Sequence, residues 1–501
     1  MSSRSELIGF NQSDDLSISM APCAQFATIS SLPTELLLII FEHLYTEETQ
    51  PSCLEALVLY PTCGLRLHLR TDKLSPSPAL FPYALADVCT SWKDVVSAVP
   101  KFWTRLLISL DDSSSSFKDL SSHLVSSCNL PLEIHAETPA RPEDPSREAS
   151  LVSSIMKLLG PHIFRCLKLS IKCRYSSSLP SLTTGSLGRT VESLHCLKLE
   201  CEEDGYQAMT KRNPVSTSQF SFRSLTTLSL SGTNVFEFCT AGSSWMAGRD
   251  MHSLSLSNYH ANDSLSGGLS HADLFDILLY PSLIHRLKLS NIRLRISDAP
   301  TDAPHPLRVH TMQLEDLQPE LTATLLNTVA LPHTMQSLHI TRCALHEVSL
   351  TAHCDLVLED IPPDHSLIPF VGDWDGARLT FLRCPFVDDA FLEAMTDGGS
   401  SDEFMCPFLR ELVVSNCGAL SVPVLKELVR KRRDVAEAEM GGEEVYDAFG
   451  FGFVVVRPLF RLVVSGAGYG LGAEDRDWFE RMVGDFRWDA DSGASTELHT
   501  L

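Results

Sequence analysis

The chain has 501 residues, 44% of them apolar, and a formal net charge of −23; that is room for several domains or one long repeat array, and a surplus of acid that repels phosphate backbones and excludes nucleic acid as an expected partner. Fifteen cysteines without one C-x-x-C pair argue against a zinc site, and their odd total with no signal-like start argues against a secreted disulfide framework, so a reducing cytoplasmic setting is expected. No stretch reaches the ~18 apolar residues that a membrane span needs, so no membrane partner is expected.

Residues 1–30 are Ser-rich and polar and read as a disordered leader. A helix start follows at Ser31. Pro33 sits where a first turn tolerates a missing N–H, and Glu35 where the helix dipole favours negative charge. Leu36, Leu37, Ile40, Phe41 and Leu44 then recur at three- and four-residue steps. From about 46 to 81 five prolines in the neighbourhood, Pro51, Pro61, Pro76, Pro78 and Pro82, punctuate what reads as an inserted loop with one short helix or hairpin. Beyond it Leu85, Val88, Cys89, Trp92, Val95, Val96 and Val99 keep a helical step until Pro100, and Phe102-Trp103 follow.

Leu32-Pro33-x-Glu35-Leu36-Leu37-x-x-Ile40-Phe41, then Val88-Cys89-x-x-Trp92, then Pro100-x-x-Trp103 resemble the F-box, in the form with an insertion that is common among fungal proteins. The resemblance implies that residues 31–107 are a small helical module docking onto the Skp-type adaptor of a cullin-RING ubiquitin ligase. It carries over Leu32, Pro33, Leu36, Ile40, Val88, Cys89 and Trp92 as adaptor contacts, with Trp103 packing the module. Ubiquitin transfer would belong to other subunits, so no enzyme activity is expected of this chain.

Leu106-Leu107-Ile108 reads as a strand, and Asp111 to Ser116 as a polar turn. From about residue 130 an L-x-L unit repeats ten times, opening at Leu167, Leu197, Leu228, Leu254, Leu287, Met312, Leu338, Leu356, Leu379 and Leu412, mostly 18 to 33 residues apart. Alternate strand residues share a face, so the outer two point into a core and the middle one, such as Lys198, Ser255 or His339, to solvent. Four connections, from Asp273, Glu320, Asp388 and Val424, have helical spacing. Strand plus helix, repeated, predicts an α/β fold: an irregular solenoid over 130–470 that resembles a degenerate leucine-rich-repeat domain. Runs near Phe453–Val456 and Leu459–Val464 read as closing strands. A helix from Asp475 to Val483, with Trp478 and Trp488, reads as a cap within 471–501.

Nothing in the sequence predicts a catalytic, cofactor or metal site. Gly468-x-Gly470-x-x-Ala473 matches a loose dinucleotide pattern, but its following helix opens with Glu474-Asp475, which opposes a pyrophosphate. His252, His260 and His271 lack a converging carboxylate or thiol and read as loop histidines. Cys343, Cys384 and Cys417 share a repeat position and read as small buried residues. Arg430–Arg433 reads first as the cationic end of a helix and second as a nuclear import signal. The substrate is unknown from sequence. The rival to a ligase receptor is a leucine-rich-repeat scaffold that recruits no ligase.

Overall fold

The computed structural model describes residues 32–49, 81–110, 115–138, 144–182, 187, 191–203, 222–240, 244–261, 268–296, 307–328, 335–345, 348–363, 367–396, 404–418, 420–440 and 456–490. The leader, most of the insertion, Asp111 to Ser114, Phe453 to Val455 and the last eleven residues lie outside them. The chain divides into two compact units between Phe102 and Trp103.

In the first unit, helix α1 spans Thr34–Thr49, and the Leu36 and Leu37 N–H groups both donate to the Pro33 carbonyl that opens it. The predicted second helix is two: α2, Tyr83–Ala86, and α3, Thr90–Ser97. Cys89 between them is extended, at φ −164°. That break aims Trp92, Val95 and Val96 inward and leaves Val88 exposed. Trp92 meets Phe41 edge-on with ring centres 5.0 Å apart. Tyr45, Phe81 and Phe102 form a second aromatic cluster, rimmed by an ion pair from Lys101 to Glu42 at 2.8 Å.

The second unit is built on one open sheet of fourteen parallel strands that follow chain order without a crossing. They are β1 Arg105–Ser109, β2 Leu132–Glu137, β3 Cys166–Tyr175, β4 Cys196–Glu203, β5 Thr227–Ser231, β6 Asp250–His260, β7 Leu283–Arg293, β8 Val309–Glu315, β9 Ser337–Thr341, β10 Asp355–Glu359, β11 Arg378–Leu382, β12 Glu411–Ser415, β13 Arg461–Ser465 and β14 Asp485–Asp489. The connections carry α4 (Ser115–Ser126), α5 (Pro145–Leu159), α6 (Thr233–Thr240), α7 (His271–Leu278), α8 (Pro319–Thr328), α9 (Ile368–Gly372), α10 (Asp389–Thr396), α11 (Val422–Met440) and α12 (Ala473–Met482). This order is compatible with a solenoid of strand-and-helix coils.

The outer residues of each L-x-L unit seal the core. Leu197, Leu199, Leu254, Leu256, Leu287 and Leu289 are all 0% exposed. Each such side chain contributes about 1.5–3 kcal/mol of burial.

Four expectations need correction. The sheet starts at β1 and ends at β14, beyond both predicted limits, because Leu106, Ile134 and Leu462 continue the column of the first core residue, and Trp488 that of the second, with less regular spacing. The first repeat is Leu169-x-Ile171, not Leu167-x-Leu169, since Leu169 pairs with Leu197 and Ile171 with Leu199; β3 offers three apolar positions of one parity and pairing uses the later two. Trp488 lies in an edge strand rather than a helical cap, with its indole N–H on the Tyr469 carbonyl at 3.2 Å. Trp103 belongs to the second unit, where it is buried against His123 of α4 with ring centres 5.0 Å apart.

A left-handed residue stands two positions past the second core residue of nine strands, inside β6 and β7 and just beyond the strand elsewhere: Gly232, Asn258, Asn291, Asp316, Arg342, Asp360, Arg383, Asn416 and Gly466, with φ between 49° and 68°. Asn and Asp visit this region easily because their short side chains bond locally. The two arginines are offset instead by ion pairs, Arg342 with Glu315 at 2.7 Å and Arg383 with Asp360 at 2.7 Å. Most of these N–H groups donate to the last strand carbonyl of the next coil, as Asp316 does to Thr341 at 2.9 Å.

Candidate docking face

α1 is apolar on two sides. Leu37 and Phe41 point inward at 2% and 0% exposure. Leu36, Ile39, Ile40 and Leu44, spaced three and four residues apart, form a second stripe exposed at 47%, 62%, 41% and 37%, and Val88 is exposed at 54%. The helical step predicts one wide face; the fold resolves it into a sealed stripe and an open one.

Of the predicted contacts, Leu36, Ile40 and Val88 are therefore available, Pro33 is exposed, and Leu32 and Cys89 are half-buried. Trp92 is different. It is 8% exposed and packed edge-on against Phe41, so it holds α1 and α3 together rather than presenting itself. Ile39 completes the open stripe and was not among the predicted contacts, although its step from Leu36 was the available signal.

In the second unit, the residues between the core leucines line the opposite side of the sheet. Lys198, Ser255, Lys288 and His339 are half-buried there, whereas Thr380, Val413 and Val463 of later strands are buried. Two residues earlier on the same strands, ion pairs join neighbouring strands. Arg378 holds Asp355 at 3.1 Å and Glu411 at 2.9 Å, while Arg461 holds Glu411 at 3.6 Å and Asp485 at 3.4 Å. The hydrogen bond to Glu411 raises the Arg378 pKa, while burial lifts Asp355 above the usual carboxylate range. At the far end of the strands burial raises Glu315, but the hydrogen bond from Arg342 and the Lys288 charge outweigh it and leave that carboxyl below its ordinary value. Periodicity alone did not reveal this alternation of charge, because it runs across strands 23 to 50 residues apart in sequence.

The remaining sequence features have structural roles. Arg432, in the basic cluster, is 0% exposed and donates to the carbonyls of Met405, Cys406, Pro407, Leu409 and Arg457. Arg430 pairs with Glu427 and Arg433 with Glu437. Neither reading of the cluster fits: α11 runs on past Arg433 to Met440, so the four residues lie inside the helix and not at its cationic end, and an import signal needs side chains extended together, whereas Arg432 is sealed.

Gly472 caps α12, whose first turn holds Glu474 and Asp475, and Asp475 is tied to Lys426 at 2.6 Å. His252, His260 and His271 are not brought together as ligands: His260 bonds Asn291 at 2.9 Å, and His252 neighbours His285 instead. Among the described residues no group of three or more His, Cys, Asp or Glu is arranged to hold a metal ion, and no helix is long and apolar enough to cross a membrane. No family model matches this chain, and no curated protein matches it in sequence.

Proposed function

We propose that this chain is a cytoplasmic F-box substrate receptor of a cullin-RING ubiquitin ligase, gripping a Skp-type adaptor with the open stripe of α1 and presenting an unidentified protein substrate on its repeat unit. The cullin and RING subunits would be reached through that adaptor. The observation that carries this reading is the second apolar stripe, Leu36, Ile39, Ile40 and Leu44, on a helix whose inner side is already packed. Water meets these side chains at a free-energy cost that a partner surface removes, on the order of 1.5–3 kcal/mol for each one fully buried. A few such anchors dominate most interfaces. The ordered, polar side of the parallel sheet supports the second half of the reading, since it offers a broad surface whose side chains vary from strand to strand.

The test is a pull-down of the Skp-type adaptor with the double variant Leu36→Asp, Ile40→Asp. Loss of two anchors of about 1.5 kcal/mol each predicts roughly a hundredfold weaker capture, with the circular dichroism of the sheet unchanged. Undiminished capture by a folded variant rejects the ligase reading and leaves a scaffold.

A further inference from the structure

One step past the left-handed residues from Asp316 to Gly466 lies another column of the second unit: Leu317, Cys343, Ile361, Cys384, Cys417 and Ala467. Cysteines are neighbours in it at one place, Cys384 and Cys417. Phe381 pairs with Val414 and Leu382 with Ser415, so two residues further on the two cysteines stand side by side. Adjacent strands lie about 4.7–4.9 Å apart, within the ~4.4–6.8 Å between Cα atoms that a disulfide spans.

The side chains are already engaged. The Cys384 N–H donates to Cys417 Sγ at 3.4 Å, while the thiols themselves donate to strand carbonyls, Cys384 to Leu358 and Leu382 and Cys417 to Phe381 and Ser415; the nearness of the two sulfurs pushes the Cys384 pKa up and the Cys417 pKa down. The loops behind them are clamped together. Asp389 accepts from the Ser421 N–H at 2.6 Å, and the backbone at Gly418 runs so close that a Cβ there would stand 2.4 Å from the Pro385 carbonyl oxygen. Proximity is therefore built into the resting fold. Cys343 makes a similar bond, from the Leu317 N–H at 3.5 Å, but its neighbours in the column are Leu317 and Ile361. It shows what packing alone asks of this position.

We propose that Cys384 and Cys417 are a redox pair that hydrogen peroxide converts to an intramolecular disulfide, stapling the ends of β11 and β12. The inference goes beyond the ligase reading and does not rest on it. Cys417, half-buried where Cys384 is fully buried, is the sulfur that a small oxidant meets. Its thiolate attacks one peroxide oxygen; the S–O bond forms, the O–O bond breaks, and the departing hydroxide takes the thiol proton as water. Cys384 then attacks the sulfenic sulfur, the S–S bond forms, the S–O bond breaks, and the second hydroxide leaves with the Cys384 proton as water. Two thiols lose two electrons to one peroxide, which becomes two waters.

The experiment treats the reduced full-length protein with hydrogen peroxide, blocks free thiols under denaturing conditions and maps the peptides by mass spectrometry. The expected product is a dithiothreitol-reversible link between the Cys384 and Cys417 peptides, with Cys343 recovered as a blocked thiol. The melting temperature should rise by about 2–4 °C on oxidation and fall back on reduction. Cys417→Ser should abolish both the link and the shift. Cys384→Ser should strand Cys417 as a sulfenic or sulfinic acid, and if that variant fails to fold, Cys417→Ser decides alone. Recovery of both residues as free thiols under peroxide that oxidises the exposed Cys128 overturns the proposal.

Discussion

Leu36 and Leu289 are the same residue type on equally periodic segments, yet one is 47% exposed and the other 0%. In the second unit each strand is backed by its own connection, so both core leucines of an L-x-L unit are sealed by their own chain. In the first unit α3 seals one side of α1 and leaves the other to water. The contrast separates two fates of apolar surface: sealed by its own fold, or left open to water. Periodicity announces both in the same letters.

Truncation should break the tie most plainly. Leu289→Ala removes a side chain from a column with no room to collapse and should cost about 3 kcal/mol. Leu36→Ala should cost under about 0.5 kcal/mol, because the lost surface was wet in the folded state as well. Urea unfolding followed by circular dichroism measures both. Equal losses would mean that the α1 stripe is core after all and that the comparison is false.

Titration sharpens the boundary between the units. Trp103, which completes the F-box-like pattern in sequence, packs instead on His123 of the repeat unit. Burial brings the His123 pKa down from 6.5 to about 4, although its hydrogen bond with the Trp103 backbone pulls the other way. The unfolded chain therefore takes up this proton near pH 6.5 while the folded chain resists it to about pH 4. Stability must fall as pH falls through that window, by about 2 kcal/mol between pH 6.5 and 5. His123→Gln should remove that share of the slope, and subtracting its urea melts from those of the natural chain at both pH values cancels the carboxylates common to both. A slope identical in the variant would place His123 in water.

The sequence carried the sheet further than the helices. Leucine parity located the inward face of every predicted repeat, since period 2 leaves one choice, and it failed only where β3 offered three equivalent positions. The α/β assignment held. Of the helices that went unseen, α9 is short and proline-opened and α4 begins in a Ser-rich run, whereas Val152, Ile155, Met156 and Leu159 of α5 carry the three- and four-residue step that could have found it. At the candidate docking face, Leu36 and Ile40 were legible from their helical step. The burial of Trp92 was not, because an aromatic residue at a helical step looks alike on either side until the extended Cys89 fixes the turn of α3. Charge alternation and the cysteine pair depend on register between distant segments, which no local pattern encodes.

The smallest expected effect concerns the turn that ends each strand. Gly466 and Gly248 both have positive φ, +68° and +70°, but a Cβ at Gly466 would stand 2.1 Å from Asn416 Oδ1, whereas one at Gly248 would meet nothing within 4 Å. Gly248→Ala therefore carries only the conformational penalty of a left-handed alanine, about 1 kcal/mol. Gly466→Ala carries that penalty and must also displace the Asn416 amide from the adjoining coil, so it should cost about 1 kcal/mol more. Paired urea melts isolate the difference. Equal costs would show that neighbouring coils pack loosely at this column, and the close register on which the Cys384–Cys417 pairing depends would weaken with it.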